Sequence, residues 1–284
     1  MAESGSVVWP SPSEPLWRFD WSLADTPDEE GIVISQANYL GHQVFYKGSL
    51  PSLRVQYDGN ACGPYKDPLN YDNAQTTSRC PTRRVCVYSF VSAGYRGLIV
   101  ESYHRIGAYR LNHRWAFWDD GTIWPRLYSA GLQCNFDHRH HAYWRFDFDI
   151  DDASNDVVQE YNANDWTAIT TETSRVQNAA SQRSWAVMDR SSGRGYYINP
   201  GPNDGQADLF SNRDIWVLRH HDEEDRHGRQ GSAFSDGLQS YLNSEDVNGQ
   251  DVVVWYVGHL AHEAHAGGDE WHYVGPDLIP FRWQ

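Results

Sequence analysis

Lysine is almost missing from this chain. Of 284 residues only Lys47 and Lys66 are lysines, and arginine supplies the rest of the 23 basic residues. The imbalance reads as compositional bias. Basic charge as a whole is outweighed by 38 acidic residues, which leaves a net charge of −15. A nucleic-acid binder needs a basic footprint to meet phosphates, and an anionic membrane surface asks for the same. Neither partner is expected. A run of about 18 apolar residues is lacking, so no transmembrane helix is expected. The start, MAESGSVVWPSPSEPLW, has neither the basic beginning nor the apolar stretch of a signal peptide, which favours the cytoplasm. P-loop, G-x-S-x-G and dinucleotide fingerprints are also missing, which removes the commonest routes to phosphate, ester and nicotinamide chemistry.

Aromatic residues are plentiful. They make up 14% of the chain, with 13 tryptophans, and hydrophobic residues reach 40%. That composition can bury a large core and excludes a disordered polyanion. Short runs rich in Val, Ile, Tyr, Phe and Trp recur between clusters of Gly, Pro, Asn and Asp. They fall at 31–35, 43–47, 53–57, 85–91, 97–103, 113–118, 143–150, 185–188, 214–219 and 251–257. This spacing predicts an all-β sandwich or barrel with minor α content. The best helical candidate is 155–182. Residues 1–14 read as a flexible tail, 15–284 as one domain, and 220–232 as an exposed charged loop.

Three clusters could carry chemistry. The first is Asp137-His138-Arg139-His140-His141. Residues two apart on a strand share a face, about 6.5–7 Å apart along the backbone, so His138 and His140 can aim at one metal ion. The second follows directly: Asp147, Asp149 and Asp151 alternate with apolar residues, and carboxylates on one face call for a cation or donors. The third is His259-Leu-Ala-His262-Glu-Ala-His265. Its histidines are three apart rather than the four a helical zinc-protease motif requires. One of the three could complete a site begun by His138 and His140, and spacing leaves the choice open.

Taken in order, these pieces resemble the catalytic domain of the copper amine oxidases, the topaquinone enzymes. The resemblance runs from Trp17-Arg-Phe-Asp-Trp21 through Leu53-Arg-Val-Gln-Tyr57, Ile106-Gly-Ala-Tyr109, the His-x-His strand and Asp214-Ile-Trp-Val-Leu-Arg219 to Asp251-Val-Val-Val-Trp255. It implies a large β-sandwich, with copper on His138, His140 and, seven residues beyond Trp255, His262. It implies a calcium ion on Asp147, Asp149 and Asp251 with the carbonyls of Phe148 and Val252. It implies that Tyr109 is the tyrosine oxidised to topaquinone, that Asp67 is the catalytic base, and that Tyr57 contacts the cofactor ring. The expected reaction takes a primary amine and dioxygen to an aldehyde, ammonia and hydrogen peroxide, in a homodimer. A disulfide between Cys80 and Cys86 is implied in the same way, while Cys62 and Cys134 stay unassigned.

The chain departs from the family pattern around the tyrosine. Ala108 stands for an asparagine, Arg110 for an acid, and Leu111 for a second tyrosine. A cation beside a buried site would disfavour a protonated amine by on the order of a few kcal/mol. The alternatives are a copper enzyme with unmodified Tyr109 acting on something other than an amine, and a non-catalytic metal-binding relative.

Overall fold

The computed structural model describes residues 3–24, 30–207, 213–224, 237–264 and 270–283. The chain folds into two antiparallel sheets. It opens with β1 (Glu3–Pro10), β2 (Pro15–Leu23), β3 (Ile32–Tyr39), β4 (His42–Tyr57) and the short β5 (Tyr65–Lys66), all in one sheet. It crosses to the second sheet for β6 (Ala74–Gln75), β7 (Val85–Ser92), β8 (Tyr95–Ile106), β9 (Tyr109–Trp118) and β10 (Ile123–Ala130). Strand β11 (His138–Phe148) returns to the first sheet, β12 (Asp156–Asn162) and β13 (Asp165–Ala168) lie in the second, and β14 (Thr173–Arg175) in the first. The second sheet then gains β15 (Ser184–Asp189) and β16 (Gly195–Asn199), and the first β17 (Ile215–Arg219) and β18 (Val252–His262). Strands β19 (His272–Val274) and β20 (Asp277–Phe281) pair with β10 and with β16 and β10 in the second sheet.

The first sheet is nine-stranded, ordered β1-β2-β3-β4-β11-β18-β17-β14, with β5 on β4. The second has eleven strands. The inner faces close over Trp17, Trp115, Trp144 and Trp185, each fully buried. The outer side of β11, β17 and β18 carries a smaller apolar cluster around Tyr143, Trp216 and Trp255. Every apolar run read from the sequence overlaps a strand. The runs at 43–47 and 53–57 belong to one sixteen-residue strand, β4. Pro51 is tolerated there because the β4–β11 register shifts between Ser52↔Tyr143 and Ser49↔Arg145, a bulge that needs no ladder donor from it.

Two expectations are corrected. The N-terminal stretch is not a free tail from residue 3 onward. Strand β1 pairs along β2 from Glu3↔Leu23 to Trp9↔Trp17, buries Val7 and Trp9, and anchors the Trp9 indole N–H on Ser89 Oγ at 2.9 Å. The helical candidate at 155–182 is instead the β12–β13 hairpin, β14 and one 3-10 turn. Asn162 to Asp165 form its turn, with Ala163 at φ 67°. Helical content among the described residues is confined to short 3-10 turns, and no helix is long and apolar enough to cross a membrane. Of the loop expected at 220–232, residues 225–232 lie outside the described residues.

Candidate metal centre and adjoining pocket

Strand pairing assembles the site. In register, His138 on β11 stands opposite His262 on β18 and opposite Tyr57 on β4. One rung across three neighbouring strands therefore carries three of the expected site residues, and His140 follows two residues along on the same face. The ligand nitrogens of His138, His140 and His262 lie within 4.8 Å of one another. All three residues are buried.

The imidazoles suit a metal. Nδ1 of His138 is tied to the Phe136 carbonyl at 3.2 Å, and its Nε2 is buried with no hydrogen-bond partner. For His140 the roles reverse: Nε2 meets Ser129 Oγ at 3.2 Å and Nδ1 is buried without a hydrogen-bond partner. Leaving such nitrogens unsatisfied costs about 1–3 kcal/mol each. Burial lowers His138 to about 4 and pushes His140 well below the usual histidine range, with the neighbouring histidines adding to both shifts. Both rings are thereby held neutral, the form that binds metal.

Tyr109 comes from the facing sheet. A two-residue turn, Gly107-Ala108, joins β8 to β9, with Ile106 paired to Tyr109. Gly107 sits at φ 57°, the left-handed region that favours glycine, and a Cβ there would meet Gln133 Oε1 at 2.7 Å and displace the end of that side chain. The Tyr109 ring lies 4.9 Å from the His140 ring and 5.6 Å from His138, centroid to centroid. Its hydroxyl bonds that of Tyr57, whose ring stacks on His138 at 4.8 Å. Burial raises both phenols above the usual tyrosine range.

Asp67 faces the same space. With Tyr65, Ile106, Gly107, Tyr109 and Gln133 it lines a pocket of about 220 Å³. The residue is 7% exposed, its Oδ2 is buried with no hydrogen-bond partner, and burial pushes the carboxyl up to about 7. A bridge between Cys62 and Cys134 ties the segment leading to Asp67 to the one that carries Gln133. The sequence left this pair unassigned. The Cys80–Cys86 bridge is present as expected.

Arg110 does not behave as expected. Strand alternation turns it outward: Tyr109 and Leu111 are buried, Arg110 is exposed, and its guanidinium lies over the Trp271 ring at 5.8 Å. The repulsion anticipated for an amine is not directed into the pocket. His141 likewise points to the far side of the sheet, where its Nδ1 meets His259 Nδ1 at 2.9 Å and His259 Nε2 meets Asp214 at 3.0 Å. Of the three candidates on the third motif, His262 joins His138 and His140, His259 faces away, and His265 lies outside the described residues.

Asp147, Asp149 and Asp251 also converge, their oxygens within 4.8 Å of one another. Phe148 and Val252 stand opposite each other beside them. The protein answers this charge in part. Arg145 donates to Asp147 at 3.2 Å, and His220 reaches Asp147 at 3.4 Å and Asp251 at 3.5 Å. Asp149 is still pushed up to about 7 by burial and by Asp147 and Asp251.

No family model matches the chain. Its fold is nonetheless that of solved copper amine oxidases, as the sequence motifs suggested. Lysyl oxidase of Pichia pastoris superposes with a TM-score of 0.75 at 16% identity over 94% of this chain. A copper-containing benzylamine oxidase from Hansenula polymorpha gives 0.77 at 17% over 95%, and an amine oxidase of Aspergillus nidulans 0.77 at 17% over 95%. The chain spans 51%, 59% and 52% of those proteins respectively, about half of their length.

Proposed function

We propose that this chain is a copper-dependent oxidase that converts a small primary amine to an aldehyde. In the overall reaction the amine and water give the aldehyde and ammonia, and dioxygen takes up two electrons and two protons to become hydrogen peroxide. The observation that carries the reading is a buried tyrosine, Tyr109, that lines one pocket with the buried carboxyl of Asp67 and whose ring also lies against the cluster of three buried imidazoles. His138, His140 and His262 would hold the copper. The metal, with Tyr109 oxidised to topaquinone, would supply the electron sink.

The remaining roles belong to the chain's own side chains. Asp67 takes the α-proton from the amine-bearing carbon, and a carboxyl poised near neutrality suits that task. Tyr57 holds the Tyr109 ring through its hydroxyl. The pocket, at about 220 Å³, is below the usual ligand-site range of about 300–1,000 Å³, which favours a small substrate. The two disulfides favour an oxidising compartment over the cytoplasm that the N-terminus suggested. We extend the proposal to a homodimer, to a single domain that takes in β1 as well as residues 15–284, and to calcium at Asp147, Asp149 and Asp251.

Phenylhydrazine added to copper-loaded, aerated protein should give a coloured adduct that Tyr109→Phe abolishes. No adduct, and no peroxide from a panel of amines, would refute the amine-oxidase reading. A second reading, copper chemistry with Tyr109 unmodified, draws support from Ala108 in place of the family's asparagine. An unmodified intact mass together with copper-dependent turnover of a non-amine would select it.

A further inference from the structure

We propose that His272 is a fourth imidazole of the metal centre, carried to it by β19. The inference rests on the copper reading above and adds a ligand to it. The His272 ring lies 4.7 Å from the His262 ring, centroid to centroid, the separation also found between His262 and His138. Its Nε2 is buried and makes no hydrogen bond. An imidazole nitrogen shut away from water needs a partner, and the ring beside this one is that of His262.

Strand packing brings His272 there. In the β10–β19 ladder it stands opposite Ser129, whose hydroxyl meets His140 Nε2 at 3.2 Å. Val274, two residues on and on the same face, rests on Gly258 of β18. A Cβ at Gly258 would meet Val274 Cγ2 at 2.4 Å, so β19 comes this close to β18 only over a glycine. His262 lies on the same face of β18 as Gly258, and His272 on the same face of β19 as Val274, so both histidines are carried on the faces that meet at Gly258.

The chemistry of copper completes the argument. Copper(II) favours a tetragonal arrangement with four in-plane nitrogen or oxygen donors. His138, His140 and His262 offer three. The His272 nitrogen stands outside their 4.8 Å group, so the reading requires its side chain to turn inward when the ion binds. Tyr109 approaches through His138 and His140 and His272 through His262, so the two do not compete for one flank.

Metal-stripped protein titrated with copper(II), and read by pulsed electron paramagnetic resonance, tests this directly. The unmodified chain should show four coordinated imidazole nitrogens, and His272→Ala and His272→Gln three. Both variants should bind copper about ten- to a hundredfold more weakly in a chelator competition. Three imidazoles in the unmodified chain overturn the proposal whatever the variants do, and so does an unchanged spectrum in a folded variant. His138→Ala separates this failure from that of the underlying reading. If the unmodified chain takes up no copper, or His138→Ala takes it up equally well, the copper centre itself is refuted. If His138→Ala loses copper while the unmodified chain shows three imidazoles, only the fourth ligand falls.

Discussion

Replacing Asp67 by asparagine should separate the stability and the catalysis of this pocket. The residue is 7% exposed and burial pushes its carboxyl from 3.8 to about 7. Near pH 5–7 the folded chain therefore keeps a proton that the unfolded chain has lost. The folded state binds more protons, so this group's stabilisation is complete below pH 3.8 and is lost as pH rises through about 7. At about 1.4 kcal/mol for each pH unit, the full span amounts to roughly 4 kcal/mol. The amide introduced by Asp67→Asn cannot ionise, and its shape is nearly the same. Paired urea unfolding of the two proteins should show the variant gaining on the parent by about 2–3 kcal/mol between pH 5 and pH 8. Every other titrating group is common to both, so the gap isolates Asp67. Amine turnover should move the opposite way: the parent's kcat/KM rises with pH through about 7, and the variant loses about a hundredfold or more with no such rise. A gap that stays constant from pH 5 to pH 8 would refute the assignment of a buried, unanswered carboxyl.

Other perturbations have equally definite outcomes. Cys62→Ala with Cys134→Ala opens a loop of 72 residues, which chain entropy values at about 4 kcal/mol, and should weaken amine KM because both walls of the pocket are tied by that bridge; calorimetry and steady-state kinetics check the two parts. Trp9→Ala should cost about 3 kcal/mol in denaturant unfolding, since the indole is buried and bonded to Ser89; a cost under about 1 kcal/mol would mean that β1 does not hold the sheet edge. Calcium should raise the melting temperature more at pH 8 than at pH 6, because a proton on Asp149 competes with the ion below about 7, and Asp149→Asn should abolish the increment. An equal increment at both values would count against calcium at that trio.

The β architecture was legible because short apolar and aromatic runs recur between turn residues, alternating in strands such as β2 and nearly continuous in β18, which is buried on both faces. The exceptions are physical. Strand β1 has only Val7 and Trp9 turned inward along its exposed edge, and Glu3, Ser4 and Ser6 ahead of them imitate a tail. Its Gly5 is legible only beside Trp21, which a Cβ would strike at 2.9 Å. The 155–182 segment has apolar residues too far apart for a single period, and the Asn-Ala-Asn turn that splits it becomes informative only once β12 is paired to β15. The Cys62–Cys134 bridge spans loops that approach only when β4 and β11 lie side by side, so no local signal in the sequence could pair them.

Within the site, parity was the unused signal. His138 and His140 differ by two and share a face. His259 and His262 differ by three, so on one strand they must face apart, and only one can join the cluster. The same rule applied to Tyr109 and Arg110 sends them to opposite faces, which takes the cation out of the pocket on strand alternation alone. It leads to a sharp expectation. If Arg110 opposed an amine through the low-dielectric interior, Arg110→Glu would raise kcat/KM for a cationic substrate many fold. Because Arg110 is exposed and lies over Trp271, solvent screens it, and an exposed charge is worth about 0–1 kcal/mol. The variant should therefore match the parent in copper uptake and stay within about threefold of it in amine turnover at moderate salt. A gain of about a hundredfold would place the arginine in the pocket after all and overturn the strand register of β9.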